Sequence, residues 1–487
     1  SLSAWSSATL SLGVVAEPDR GWSRSGAHTR RCTCNGGVGS GAVYGEVTTQ
    51  QLWDGNSRLA ARIDPNGNRT SYAYDGQNRR IATLFPDGTS ERYHWNRVDT
   101  LSRTVDPRGV VIDYGYDVSE RRTSKAVQQV SRGVEAQQFA AWEYDGLNRL
   151  TRAEDDDTIC VYAFDSLSRQ VRETQSVATG LPRNTAADPL SVPVSGYTAR
   201  TYDGVGNQLR LGYPSGYSLS YQYDGGDRLS RIRDVTGGDA ILAEFDHQGA
   251  GLRRTERRYP QGAIAAHYAY DGERRVTRLD NVKTGVSALR LAGFAYAWDR
   301  EDHRRFEREL TINSNLSEPP GSGSVYHYDS LYRLTGWQRA VSSSDLDNID
   351  PNLDVVSLPP VVTADTVGYG LDGAGNRRGL NAFGETVAYV LNASAPTQDE
   401  AVNQYSRIVS SLAALTITHD AAGNQTSRDA TSNQRWFDGD QQLVAWQDRG
   451  GKETRYRYDA NGRRVMKWET DSTPSFAPIV FLYDGWQ

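Results

Sequence analysis

The chain has 487 residues and a formal net charge of −6, its 60 acidic and 54 basic residues interspersed rather than blocked. That leaves no basic stripe of the kind that grips a phosphate backbone, which disfavours nucleic acid as a partner. No run approaches the ~18 unbroken apolar residues of a membrane helix, and Cys32, Cys34 and Cys160 give no disulfide framework.

Residues 1–43 are rich in Ser and Gly, carry no repeat and read as an irregular N-terminal segment. The chain begins at Ser1, and residues 1–20 lack the basic-then-apolar order of a secretory leader, so the start reads as a cut in a longer protein. Gly37, Gly39 and Gly41 follow no strand and precede no Gly-Lys-Ser/Thr, which makes a linker the better reading than a phosphate loop. His28, Cys32 and Cys34 could belong to a metal site. They lack an evident fourth ligand, and free thiols are the simpler reading.

Residues 44–487 are built on a repeat. Tyr-x-Tyr-Asp, a short Gly/Asn-rich turn and then Arg recur as Tyr72, Tyr74, Asp75 and Arg79, and as Tyr144, Asp145 and Arg149 with Trp142 in the first aromatic place. The series continues as Tyr221, Tyr223, Asp224 and Arg228, then Tyr268, Tyr270 and Asp271. It returns as Tyr326, Tyr328, Asp329 and Arg333, and as Tyr456, Tyr458, Asp459 and Arg463. The markers Asp54, Asp75, Asn96 and Asp117 step by 21 residues. A fixed period of that length means many copies of one small unit, each covering its neighbour.

Turn chemistry explains the period. Aromatics two apart share one face of a strand, and Asp opens a turn by bonding its own backbone. Glycine then supplies positive φ, as at Gly206, Gly375 and Gly462, and Arg starts the return strand. Second turns of the type Asp64-Pro-Asn-Gly67 and Asp106-Pro-Arg-Gly109 close each unit. Two strands of ~6 residues and two turns of ~4 fill ~20 residues. The expected fold is all-β: antiparallel hairpins wound into a hollow spiral shell or barrel, since a long sheet twists and must hide one face.

Nearly all the basic residues are Arg, with Lys only at 125, 283, 452 and 467. Arg can stack on Tyr and fork onto Asp at once, although genome base composition would give the same bias. Insertions interrupt the rhythm near 173–198, 338–366 and 382–415, and such insertions emerge as loops or plug an end. Residues 403–415 carry enough apolar residues for a short strand or helix.

The remaining candidates for chemistry read as structural. The seven His (28, 94, 247, 267, 303, 327, 419) are scattered and stand as substitutes in the strand pattern. Asp155-Asp156-Asp157 lacks the spacing and glycine of a calcium loop and reads as a solvated turn, as does Asp345 through Asp350. A catalytic carboxylate pair occurs once, whereas these Asp recur at every turn. The expectation is therefore no enzyme, no cofactor and no metal. Rows of Tyr could instead form a sugar-stacking platform, and Tyr223→Ala is expected to cost roughly 3–5 kcal/mol if the ring is buried.

These motifs resemble the YD repeats of the Rhs family, whose shells are similar to those of teneurins and bacterial insecticidal toxin complexes. The closing run resembles the repeats that lead into an Rhs-associated core domain, with Asn403-Gln404-Tyr405, His419-Asp420, Tyr458-Asp459 and Tyr483-Asp484-Gly485-Trp486 as its marks. The resemblance implies a hollow β-shell enclosing a C-terminal passenger such as a toxin, in a secreted or surface-delivered bacterial protein. It also implies a self-cleaving Asp-Pro-x-Gly-Leu site near the passenger. Asp106-Pro-Arg-Gly109 is followed by Val and lies mid-array, so that role is not carried onto it. By this reading the chain is shell wall, cut before core and passenger. Adhesion to surface glycans is the alternative.

Overall fold

The computed structural model describes residues 13–14, 28–34, 45–129, 137–179, 190–285, 289–310, 322–329, 331–347, 366–391, 403–429, 433–470 and 478–483. For residues 13–14, 28–34, 45, 46, 48 and 129 it describes the backbone alone. Within these residues lie 37 strands, from β1 (Gly13–Val14) to β37 (Ile479–Val480).

The hairpin at Asp75 shows how the repeat folds. Strands β5 (Arg69–Tyr74) and β6 (Arg80–Leu84) pair with Tyr72 opposite Thr83 and Ala73 opposite Ala82. At the tip the Asn78 amide donates to the Asp75 carbonyl, and the Asp75 amide donates to the Arg79 carbonyl at 3.0 Å. Asn78 takes φ 66°, and the register slips between Ala73 and Tyr74. This is a type I turn followed by a left-handed residue and a bulge, one of the favoured three-residue hairpin loops. The left-handed place is the third residue after Asp. Glycine fills it at Gly206, Gly375 and Gly462, but Ser57, Glu120, Arg274 and Tyr332 fill it elsewhere. The glycine directly after Asp, as at Gly76 or Gly225, has ordinary φ and meets nothing around it. Because Glu120 sits at φ 62°, Glu120→Gly should stabilise the protein by about 1 kcal/mol, read in urea unfolding.

Every ladder joins strands adjacent in sequence. The first 32 strands, through β32 (Gln425–Arg428), form one antiparallel meander, and β33 (Arg435–Phe437) to β37 form a second sheet of five. Among the described residues no pairing closes the sheet into a barrel. The sheet instead winds until it meets itself. Asn66 bonds Asn403, Arg108 bonds Gly439, Lys125 bonds Asp440 and Gln175 bonds Tyr483, across separations of 337, 331, 315 and 308 residues. These contacts keep one order along both stretches, which is the signature of a spiral whose second winding lies edge to edge on its first.

The wall has no common core. Among the described residues the buried apolar side chains gather in two small clusters, Val325/Val341/Leu346 and Val177/Val465/Met466. Most strand residues are half-buried, as a single-layered sheet requires.

Two expectations need correction. Residues 28–34, read as irregular, form strand β2, which pairs with β3 (Gly45–Trp53) from His28–Gln51 to Cys34–Gly45. The run His-Thr-Arg-Arg-Cys-Thr-Cys has the Thr-rich composition a strand tolerates. The three proposed insertions are partly ladder. β14 (Gln170–Ala178) and β15 (Pro193–Tyr202) pair throughout 172–178, and β29 (Glu385–Leu391) and β30 (Tyr405–Val409) occupy the third, so 403–415 supplies strand. Residues 180–189, 348–365 and 392–402 lie outside the described residues.

Candidate functional site

The repeated Asp does the same work in each turn. Asp75 Oδ1 accepts the amides of Gln77 and Arg79 at 2.9 and 3.0 Å, and Oδ2 accepts Arg79 Nε at 2.7 Å. The same Asp–Arg contact measures 2.6 Å at Asp145–Arg149 and 2.7 Å at Asp271–Arg275, Asp329–Arg333 and Asp459–Arg463. At Asp224 the Arg228 guanidinium, with the Gly226 amide, holds the carboxyl down to about 2.

Arg also reaches forward. Arg79 Nη1 donates to the Asn96 carbonyl and to Asp99 Oδ1 in the next repeat, both at 2.8 Å, while its guanidinium lies 6.0 Å from the Trp95 ring. Arg149 donates to the Asp165 carbonyl and covers Phe164, and Arg333 donates to the Asp372 carbonyl. In return the second aromatic of each repeat reaches back. Tyr74 Oη donates to the Leu59 carbonyl at 2.9 Å, Tyr144 to Arg122 at 3.0 Å and Tyr223 to Gln208 at 3.0 Å. Tyr270, Tyr328 and Tyr458 do likewise to Arg254, Arg304 and Leu443. Tryptophan serves where its indole N–H can reach, as Trp95 to Arg80 and Trp298 to Val276.

The first aromatics carry a different contact. Tyr72 lies under Arg80, Tyr326 under Arg304 and Tyr456 under Arg464, at 5.7, 4.9 and 4.3 Å from ring centre to guanidinium carbon. Tyr221 is half-buried, and burial pushes its hydroxyl up to about 12. Tyr268 lies opposite Leu279 in its ladder. The repeat residues thus form a lattice in which each turn is held by its own Asp and by the Arg of the turn before. Tyr223→Phe should cost about 1 kcal/mol, the worth of one net hydrogen bond, in chemical denaturation.

Where the windings meet, the same side chains are buried. The seam brings the Pro-containing edge of the first winding onto the Asp-turn edge of the second. Asn403 bonds Asn66 and Asp64, and Arg108 lies 3.7 Å from Asp420. Arg463, 7% exposed, bridges the fully buried carboxylates of Asp459 and Glu173 at 2.7 Å each. Its neighbours are Cys160, whose thiol burial pushes up, and Tyr162, which accepts from Asn461 at 2.7 Å. Gln175 exchanges bonds with the Tyr483 backbone at 2.8 and 3.0 Å.

Asp155 and Asp156 are part of this seam rather than a solvated turn. Asp155 is fully buried and accepts from Gln137, Asp157 and Thr158 at 2.7–3.0 Å. Asp156 accepts the Gln138 and Phe139 amides, and Asp157 pairs with Arg457 at 3.1 Å. Burial raises both Asp155 and Asp156. The local sequence is that of a loop; the cover comes from a winding about 300 residues away. Nor do all His replace strand residues: His303 stands in the Arg place of the turn opened by Asp299. The side chains of His28, Cys32 and Cys34 lie outside the described residues.

The RHS Repeat family model matches residues 53–90 and 437–472, the beginning and end of the hairpin array. Double-stranded DNA deaminase toxin A of Burkholderia cenocepacia (strain H111) is 24% identical over 492 residues, which cover 87% of this chain and 32% of that protein. The solved structure of TcdB2-TccC3 superposes with a TM-score of 0.68 at 15% identity, over 94% of this chain and 24% of its own. The Photorhabdus luminescens Tc holotoxin pore gives 0.65 at 16% identity, over 91% and 22%. The chain therefore spans about a third of the curated relative and under a quarter of these solved chains. Its Tyr-Asp hairpins and their spiral course are those of an Rhs shell wall, and the chain belongs to the Rhs, or YD-repeat, family.

Proposed function

We propose that this chain is the non-catalytic wall of a container that encloses a C-terminal passenger, such as a toxin, in a secreted or surface-delivered bacterial protein. The observation that carries this reading is a single-layered sheet without a common core that winds until its edges meet, sealed by buried ion pairs at the seam. Such a sheet surrounds space rather than filling it. The curated relative is named as a toxin, and the solved neighbours are Tc toxin assemblies, which favours a toxic passenger.

Adhesion to surface glycans has less support. A sugar platform needs open aromatic faces, and guanidinium groups lie over Tyr72, Tyr74, Tyr144, Tyr326 and Tyr456.

The test is to express this chain in frame with the natural sequence that follows it and to add protease. A passenger that resists digestion inside the intact shell, and is digested once Arg463→Ala opens the seam, supports the container. A passenger cut equally fast in both would sink it.

A further inference from the structure

The turn at Asp271 carries an extra acid, Glu273, and one guanidinium serves both carboxylates. Arg275 lies 2.7 Å from Asp271 through Nε and 2.7 Å from Glu273 through Nη2. The turn at Asp299 repeats these acids at the same spacing, with Glu301, but has His303 in place of Arg. An imidazole is shorter than a guanidinium on its stem. His303 Nδ1 meets Asp299 Oδ2 at 3.0 Å, and no side chain of arginine's length fills the place between the two acids.

The three side chains converge there. One donor atom each from Asp299, Glu301 and His303 lies within 4.8 Å of the others. The ligands are also held. Asp299 Oδ1 accepts the amides of Glu301 and His303 at 3.0 and 2.8 Å, which leaves Oδ2 turned to the imidazole. The ring of His303 is clamped between Tyr328 and Tyr332, with centroids 4.8 and 4.7 Å away. Arg275 approaches from the preceding turn, but its Nη1 is engaged by the Asp299 carbonyl and Asp302 Oδ1.

We propose that Asp299, Glu301 and His303 form a divalent transition-metal site, the metal standing where a guanidinium stands in the sister turn. An imidazole nitrogen with two carboxylates selects Zn²⁺, Co²⁺ or Ni²⁺ over Ca²⁺, which prefers oxygen. Metal–ligand distances of about 2.0–2.2 Å require Glu301, the exposed member, to swing inward. The metal takes the place of the proton on Nδ1, so Nε2 carries the remaining ring proton, and water completes the coordination. Bound metal would neutralise this turn as Arg neutralises the others.

The experiment uses the full chain, stripped with chelator, then titrated with Zn²⁺ by calorimetry and with Co²⁺ by visible absorption. The expected result is a Zn²⁺ site lost in His303→Arg and weakened at least tenfold in Glu301→Gln. His303→Arg restores the residue the sister turns carry, so it should fold, and its unchanged melting temperature without metal would show this. The Co²⁺ complex should lack a thiolate charge-transfer band, which separates this site from Cys32 and Cys34. No Zn²⁺ binding by the wild-type chain, or equal binding by His303→Arg, overturns the proposal.

Discussion

Arg463→Ala should destabilise the protein by about 3–5 kcal/mol, the cost of leaving buried carboxylates without their cation. Glu173 and Asp459 are both fully buried around this one guanidinium, and neither has water to turn to. The same substitution at Arg79 should cost under about 1 kcal/mol, because that pair is partly exposed, at 18% and 23%, and solvent screens it. Urea unfolding of the two variants measures the difference. Hydrogen exchange should place the loss at the seam, in β14 (Gln170–Ala178) and β36 (Arg464–Thr470). Equal losses at both sites would mean that the seam is not dry.

The second large effect concerns pH. Burial pushes the Asp438 carboxyl up from 3.8 to about 6, with Asp440 adding repulsion and Lys125, across the seam, opposing it. The folded value lies above the unfolded one, so the stabilisation from protonating Asp438 is complete below about pH 4 and is lost as pH rises through about 6. Two units correspond to about 3 kcal/mol. Asp438→Asn keeps an oxygen for the Asp440 and Gln442 amides, which donate at 2.9 and 2.8 Å. It should match the wild type near pH 4 and exceed it by about 3 kcal/mol at pH 7.5. Parallel stability profiles for the two proteins from pH 4 to 7.5 would place this carboxylate in solvent.

What the sequence discloses divides along physical lines. The hairpin is legible because its causes are local: aromatics two apart, an Asp that bonds the next amides, a left-handed third residue. Even there, glycine drew attention to the wrong place, since Glu120 and Tyr332 adopt left-handed φ and Gly76 does not. The forward reach of Arg79 to Asn96 and the backward reach of Tyr74 to Leu59 depend on which strands become neighbours. They follow from the period only once the meander is assumed. The seam was not legible at all. Nothing near Asp155 or Glu173 announces burial, because their cover and charge partners come from residues 440–483. Tyr223 illustrates the same limit. Its ring is half-buried rather than enclosed, so Tyr223→Ala should cost nearer 2 kcal/mol than the 3–5 of a fully buried aromatic.

The offset across the seam has a consequence for how such a protein grows. Facing partners lie 337, 331, 315 and 308 residues apart, so one course of the masonry takes a nearly fixed length of chain. Hairpins added after the last course would raise the vessel without widening it. A hairpin inserted between residues 179 and 366 would instead slide every brick of the upper course past its mate below. Extra sequence there is tolerable only as material that leaves the wall. Girth is fixed by mortar and height by gene length, so such vessels can be lengthened without retooling the joint.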